Sequence, residues 1–75
     1  MIKESIGQRV HRLRKESGLS LMELGRMSHV SDNALVHLEK GRHLPRIDTA
    51  IQIAQALGVS LEYLACLTDT DASVL

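Results

Sequence analysis

Apolar residues near the start of the chain recur at intervals that suit one face of a helix. The stripe consists of Ile2, Ile6, Val10 and Leu13. Steps of three and four positions match the helical period, and Gly18 is a typical left-handed C-terminal residue, so we predict a first helix that ends there. Its other faces are polar, and Arg9 and Arg12 on them are either phosphate contacts or, as we expect, ordinary surface ion-pair partners.

Two short amphipathic segments follow, with a break around residues 28–30 between them. Ser20 can cap the first segment and Ser31 the second, because a serine hydroxyl accepts a hydrogen bond from a first-turn amide. The predicted inward residues are Leu21, Leu24 and Met27, then Leu35 and Leu38. Helices shorter than roughly 12 residues are marginal alone, so packing must hold the pair together. The pattern predicts a helix-turn-helix, whose second helix enters a DNA groove.

The remainder of the chain predicts two more helices. Gly41 ends the third helix, and residues 42–46 form a loop, because Pro45 disfavours helix in the residue before it. The fourth helix should bury Ile47, Ala50, Ile51, Ala54 and Leu57. Gly58 ends it, and Ser60 caps a last helix over residues 61–67. We therefore expect an all-α, compact five-helix domain over residues 1–67 and a flexible tail over residues 68–75.

Charge is unevenly distributed although the 75 residues have no net charge. All nine Lys and Arg residues lie within residues 3–46 together with five of the nine acids, which gives that part +4 and leaves residues 47–75 at −4. Such an asymmetry suits either a basic face for phosphates or ordinary solvated surface. The single Cys66 is expected to pack rather than react, which fits a reducing cytoplasm.

Other classes of function find little support in the sequence. The four histidines form no HExxH motif and have no CxxC partner, so we expect no metal. There is no GxxxxGK phosphate loop, and a chain this small leaves little room for a water-excluding pocket, so we expect neither enzymatic activity nor a cofactor. The sequence contains no apolar run of about 18 residues, so it predicts no membrane span.

Four ordered segments resemble the lambda-repressor-like helix-turn-helix family, also called the Cro/C1 or Xre type. They are IGQRVHRLRKESGLS, ELGRMSHVS, LEKGRHLPR and AIQIAQALGVSLEYL. The resemblance implies a five-helix domain, usually dimeric, that binds operator DNA and regulates transcription, often as a repressor. It also implies that Arg14 and Glu39 join the first helix to the end of the recognition helix as a structural ion pair, a role that a planar guanidinium suits.

Five positions depart from the family pattern; two of them are Arg46, which replaces a common Ser or Thr cap, and Asp32, an acid that repels phosphate. Leu21 stands where the family often has a Gln that contacts phosphate, a contact that Leu cannot make. Gly25 replaces a small Ala, at a helix-propensity cost of about 1 kcal/mol. His29 replaces the Gly of the turn, so a positive φ there would be strained.

The exposed face of the second motif helix carries the candidates for base recognition, namely Asp32, Asn33, Val36 and His37. The Asn33 amide either reads adenine, to which it can donate and from which it can accept, or is simply solvated in the first turn. Asp32 either accepts from a cytosine amino group or stabilises the helix start. His37 either reaches DNA or is a plain surface residue, and Val36 either meets a thymine methyl or fills the edge of the core.

A second group of candidates would hold the DNA backbone. Four of them, Lys40, Arg42, His43 and Arg46, follow the recognition helix. The others are Ser20 and Ser31, where the first main-chain amides of the two motif helices are exposed. Cations and helix N-termini bind phosphate and set register without reading sequence.

The resulting prediction is a repressor that binds a roughly palindromic operator in double-stranded DNA as a homodimer. The tentative dimer surface consists of Leu61, Tyr63, Leu64, Leu67, Val74 and Leu75, although a core role is expected for Leu61 and Leu64. The alternative keeps the fold as a protein-interaction module, such as an antitoxin or partner-sensing subunit. Zero net charge and Asp32 favour that alternative slightly.

Overall fold

The computed structural model describes residues 4–67, which fold into five helices with no strand. The helices are α1 (Ile6–Glu16), α2 (Leu21–Ser28), α3 (Asp32–Glu39), α4 (Ile47–Leu57) and α5 (Leu61–Leu64). The predicted all-α, five-helix class is therefore confirmed. Ile2 of the predicted first stripe and the tail over residues 68–75 lie outside the described residues.

Serine side chains begin four of the five helices. Ser31 and Ser60 accept a hydrogen bond from a first-turn amide, as does Ser20. Ser5 and Ser20 also form reciprocal capping boxes with Gln8 and Glu23, so two orphan donors are satisfied at each start. The caps at Ser20, Ser31 and Ser60 were predicted, whereas the start of α1 at Ser5 was missed.

Four helices end with the same pair of backbone hydrogen bonds. At the end of α1 the Gly18 amide donates to Lys15 O (3.0 Å) and the Leu19 amide to Arg14 O (3.1 Å), which is the Schellman pattern. The left-handed residue is Gly18 in α1, and its equivalents are Gly41, Gly58 and Cys66. The predicted glycine endings are confirmed, and the fourth uses a residue with no such sequence signal.

The core lies where α1, α2, α3 and α4 meet and is closed from one side by α5. Its members are aliphatic except for Tyr63, and they are Val10, Leu13, Leu24, Leu35, Leu38, Ala50, Ile53, Ala54, Tyr63 and Leu64. Leu35 and Leu38 anchor α3 in this core, and Asp32 and Asn33 in its first turn are exposed.

The predicted inward face of α4 is wrong at two residues and omits a third. Ile47 is 67% exposed and Ile51 is 39% exposed, whereas Ile53 is fully buried. The helix carries isoleucine on more than one side, so its own pattern does not fix the buried face. Packing against α2 turns Ala50, Ile53 and Ala54 inward instead. Met27 of α2, also predicted inward, is 51% exposed.

The last helix is shorter than predicted. It ends at Leu64 because Cys66 takes φ 64°, a left-handed conformation that no helix continues through. Leu67, predicted as helical, therefore follows the helix and is 78% exposed. Cys66 is half-buried after the helix rather than packed within it.

Candidate nucleic-acid interface

The corner between α2 and α3 depends on two unusual backbone positions. His29 ends α2 at φ 60° and ψ 33°, so the left-handed conformation expected at this turn is present with a side chain that tolerates it better than most. A Cβ on Gly25 would lie 2.8 Å from the Val30 carbonyl oxygen. Glycine therefore permits the close approach, and an Ala side chain would not fit this corner without a shift.

The back of α3 is fixed against α1 at a backbone contact. A Cβ added to Gly7 would overlap the Leu38 carbonyl oxygen, so the two helices approach as closely as their main chains allow. Leu35, on the same helix as Leu38, is fully buried. These contacts set how far α3 stands out from the rest of the domain.

An ion pair fixes the far end of α3. Arg14 Nε donates to Glu39 Oε2 at 2.7 Å and its Nη2 donates to Glu39 Oε1 at 3.0 Å, while its Nη1 donates to the Leu19 carbonyl at 2.8 Å. Both side chains are more than 90% buried. His11 Nδ1 lies 2.8 Å from Glu39 Oε1 on the exposed side.

The same contacts explain how these groups titrate. Burial alone raises the pKa of Glu39, but the hydrogen bonds from Arg14 and His11 outweigh it, so that pKa lies below its ordinary value. The hydrogen bond from its guanidinium to Glu39 raises the pKa of Arg14. The pair is therefore charged at neutral pH and holds α1 to α3.

The first turn of α3 presents polar groups to solvent. Asp32 and Asn33 are exposed, while Val36 and His37 are half-buried one turn later. Asp32 Oδ1 accepts from the Asn33 amide at 3.0 Å, so that oxygen is already engaged at the helix start. The side-chain amide of Asn33 has no partner among residues 4–67, so it is available to an outside ligand.

Basic side chains gather beyond the other end of α3. Arg42 Nη1 lies 3.1 Å from His37 Nδ1, and the rings of His37 and His43 are 6.0 Å apart between centroids. The exposed members of this basic group are Lys40, Arg42, His43 and Arg46. The structure thus places two of the base-recognition and phosphate candidates, His37 and Arg42, side by side.

The two serine candidates differ in their surroundings. The Ser20 amide donates to Glu23 Oε1 at 2.9 Å, so a carboxylate already occupies the start of α2. Ser31 Oγ accepts from the Ala34 amide at 3.1 Å, and α3 has no capping box. A carboxylate therefore lies at the start of both motif helices, because Asp32 Oδ1 accepts from the Asn33 amide at the start of α3.

Arg9 is not the surface residue that we expected. It is 5% exposed, its Nη1 donates to the Tyr63 carbonyl at 2.8 Å, and its Cζ lies 4.4 Å from the centroid of the Tyr63 ring. Arg12 is more exposed and donates to Glu4 and to the Tyr63 hydroxyl. These arginines join α1 to α5 over more than 50 residues of sequence, a distance at which no local pattern can reveal the contact.

An apolar groove of about 240 Å³ lies between α4 and α5. Leu44, Ile47 and Leu67 stand at this α4–α5 groove and are 74%, 67% and 78% exposed. Tyr63 and Leu64 of the tentative dimer surface are instead buried in the chain's own core, and Leu61 is half-buried. Val74 and Leu75 lie outside the described residues. Sequence reasoning missed Leu44 and Ile47.

Two other kinds of site are absent from residues 4–67. No three His, Cys, Asp or Glu side chains there gather as metal ligands would. None of the helices in that range combines the length and the apolar character needed to cross a bilayer.

Comparison with known proteins points to one group. The helix-turn-helix family model HTH_3 matches residues 10–64. An uncharacterized HTH-type transcriptional regulator, y4dJ of Sinorhizobium fredii, is 39% identical over 70 residues, covering 93% of this chain and 88% of the relative.

Two solved structures share the fold. SinR of Bacillus subtilis, described as the master regulator for biofilm formation and solved in complex with DNA, superposes with a TM-score of 0.76 at 35% identity, covering 79% of this chain and 95% of the other. The P22 c2 repressor in complex with a synthetic operator gives a TM-score of 0.78 at 27% identity, covering 83% and 94%.

Proposed function

The chain belongs to the lambda-repressor-like, Xre-type helix-turn-helix family of DNA-binding transcriptional regulators, and from that membership we propose that it represses transcription as a homodimer on a roughly palindromic operator. The observation that carries the proposal is the placement of α3. Its apolar side is anchored in the core, its far end is fixed by the Arg14–Glu39 pair, and its first turn is exposed. A rigid helix with one free polar face suits the major groove.

Within this proposal Asn33 reads a base and the basic group sets the register. The free side-chain amide of Asn33 can make the paired hydrogen bonds that select adenine. Asp32 keeps one oxygen for a cytosine amino group and disfavours sites where a phosphate comes close. Arg42 and its basic neighbours reach the backbone beside the groove, where they add affinity but no sequence preference. His37 belongs to the base-reading face of α3 and lies next to Arg42 of the basic group, so it connects these two surfaces.

The α4–α5 groove is the surface that we propose for the second copy. Its three exposed side chains, Leu44, Ile47 and Leu67, carry no charge, so two identical faces can meet about a two-fold axis without like-charge repulsion. Such a dimer must place its two α3 helices about 34 Å apart to reach successive major grooves.

Ile47→Asp tests this interface. The substitution lies in the first turn of α4, where a negative charge favours the helix, so the monomer should stay folded. Sedimentation equilibrium should show the dimer weakened by at least tenfold. Met22→Asp is the matched control, because Met22 is similarly exposed on α2, away from the groove. Equal dimerisation of both variants would remove the α4–α5 groove from the proposal.

Selection from a random duplex library, followed by titrations in different salt concentrations, tests DNA binding itself. A protein that contacts several phosphates should lose about one log unit of affinity per log unit of salt for each contact. Asn33→Ala should relax the preference at one base position in each half-site, whereas Arg42→Ala should weaken all sequences alike and lower the salt slope by about one. Absence of DNA binding at low salt would refute the proposal and leave the protein-interaction module.

A further inference from the structure

A cleft of about 430 Å³ lies where α1, the start of α2 and α3 meet. Leu21 and Val36 are the two aliphatic side chains in its lining, and each is half-buried. They come from different helices of the helix-turn-helix, so the motif itself brings them together. Most of the exposed lining is apolar.

The cleft adjoins the face of α3 that we propose enters DNA. Val36 lies three and four positions after Asn33 and Asp32 and four before Lys40, so helical geometry places these four residues on neighbouring positions of one side. Lys40 stands at the cleft and is exposed. A base whose edge meets Asn33 would have neighbours within reach of the cleft.

The charged groups at the back of the cleft do not suit an anion. Arg14 gives its donors to Glu39 and to the Leu19 carbonyl, and Glu39 adds a negative charge of its own. Leu21 and Val36 add two aliphatic side chains to this lining. The walls are therefore suited to a small apolar group, with phosphate left to Lys40 at the rim.

We propose that Leu21 and Val36 form a recognition site for the 5-methyl group of a pyrimidine in the major groove. The 5-methyl of thymine, or of 5-methylcytosine, is the apolar group that bases present there. This inference rests on the proposed DNA-binding function and adds the chemical class of one base that the protein selects. Burial of one methyl group is worth about fourfold in affinity, hence about 15-fold for two half-sites.

Uracil substitution tests the site, because it removes the methyl group and leaves the pairing edge unchanged. Each thymine of a duplex obtained by selection is replaced symmetrically by deoxyuridine, and affinity is measured by fluorescence anisotropy at fixed salt. One position should show the 15-fold loss. In Val36→Ala and in Leu21→Ala that loss should shrink to below about threefold, because a smaller side chain leaves the methyl group in water.

Met22→Ala is the matched control and should keep the full effect, since Met22 is exposed on α2 and does not line the cleft. Thermal melting confirms that each variant is folded. If one position is sensitive to uracil, affinity is then measured for duplexes that carry cytosine or 5-methylcytosine at that position. This comparison shows whether the site accepts the methyl group of thymine alone or that of 5-methylcytosine as well. Tighter binding to 5-methylcytosine shows that either base is accepted, and equal binding assigns the site to thymine.

Two results would overturn the inference, and they are distinguishable. If the protein binds its selected duplex but no thymine is sensitive to uracil, or if Val36→Ala leaves the sensitivity unchanged, the methyl site is wrong and the DNA-binding function stands. If the protein binds no duplex at low salt, the proposed function fails and the methyl site fails with it.

Discussion

Replacement of Glu39 by Gln removes the charge that fixes the far end of α3 and should be strongly destabilising. Loss of one partner from a buried ion pair costs about 3–5 kcal/mol, because the other charge is left unpaired. Arg14 keeps its bond to the Leu19 carbonyl, and the Gln oxygen can still accept one hydrogen bond, so we expect the low end, about 3 kcal/mol. A domain of 75 residues has roughly 4–11 kcal/mol of stability in total.

The assay is urea unfolding followed by far-UV circular dichroism, with a thermal melt that should fall by about 12–24 °C. Glu16→Gln is the matched control. Glu16 also pairs with an arginine, Arg12 at 3.2 Å, but its side chain is 60% exposed, so its loss should cost less than about 0.5 kcal/mol. Equal losses for Glu39→Gln and Glu16→Gln would refute the argument from burial.

The pH dependence gives an independent check on the same pair. Glu39 has a folded-state pKa below its ordinary value of 4.5, so its contribution is complete above pH 4.5 and is lost as the pH falls through the lower folded value. The free-energy gap between the wild type and Glu39→Gln should narrow as the pH falls below 4.5. A gap that stays constant down to pH 3 would show that the carboxylate is not the stabilising group.

Three smaller changes test the backbone and capping arguments by the same unfolding assay. Gly7→Ala should destabilise by about 1–3 kcal/mol, because its methyl group must displace the Leu38 carbonyl oxygen; a neutral result would mean that α1 and α3 are not in backbone contact. His29→Gly should stabilise by about 0.5–1 kcal/mol by removing strain at φ 60°, whereas His29→Ala should not. Ser31→Ala should cost about 1 kcal/mol through loss of the bond from the Ala34 amide, and an unchanged midpoint would show that this cap is dispensable.

Helix starts and ends could be predicted because each depends on one residue and its neighbours. Ser20, Ser31 and Ser60 satisfy nearby amides, and Gly18 and Gly58 supply left-handed backbone at φ 71°. The ending at Cys66 could not be predicted, since nothing in the local sequence distinguishes a cysteine that takes the position usually filled by glycine.

Contacts between distant parts of the chain could not be derived from local pattern, and the Arg14–Glu39 pair was expected only from the family resemblance. Whether Ile51 or Ile53 faces inward depends on where α2 lies, and Arg9 is buried because Tyr63 comes to it from α5. The exposure of Asp32 and Asn33 followed from helical periodicity alone. Their contacts with DNA stay predictions, as does the dimer surface.

The residues that attach α3 to the domain are not the residues that it exposes, and this separation has an evolutionary consequence. Arg14, Glu39 and the Gly7 contact secure the helix from behind, and the side chains of Asp32 and Asn33 take no part in that attachment. Descendants of this gene can thus exchange the displayed residues and acquire new targets while keeping an intact scaffold. The same independence makes the domain a convenient starting frame for building binders with altered targets.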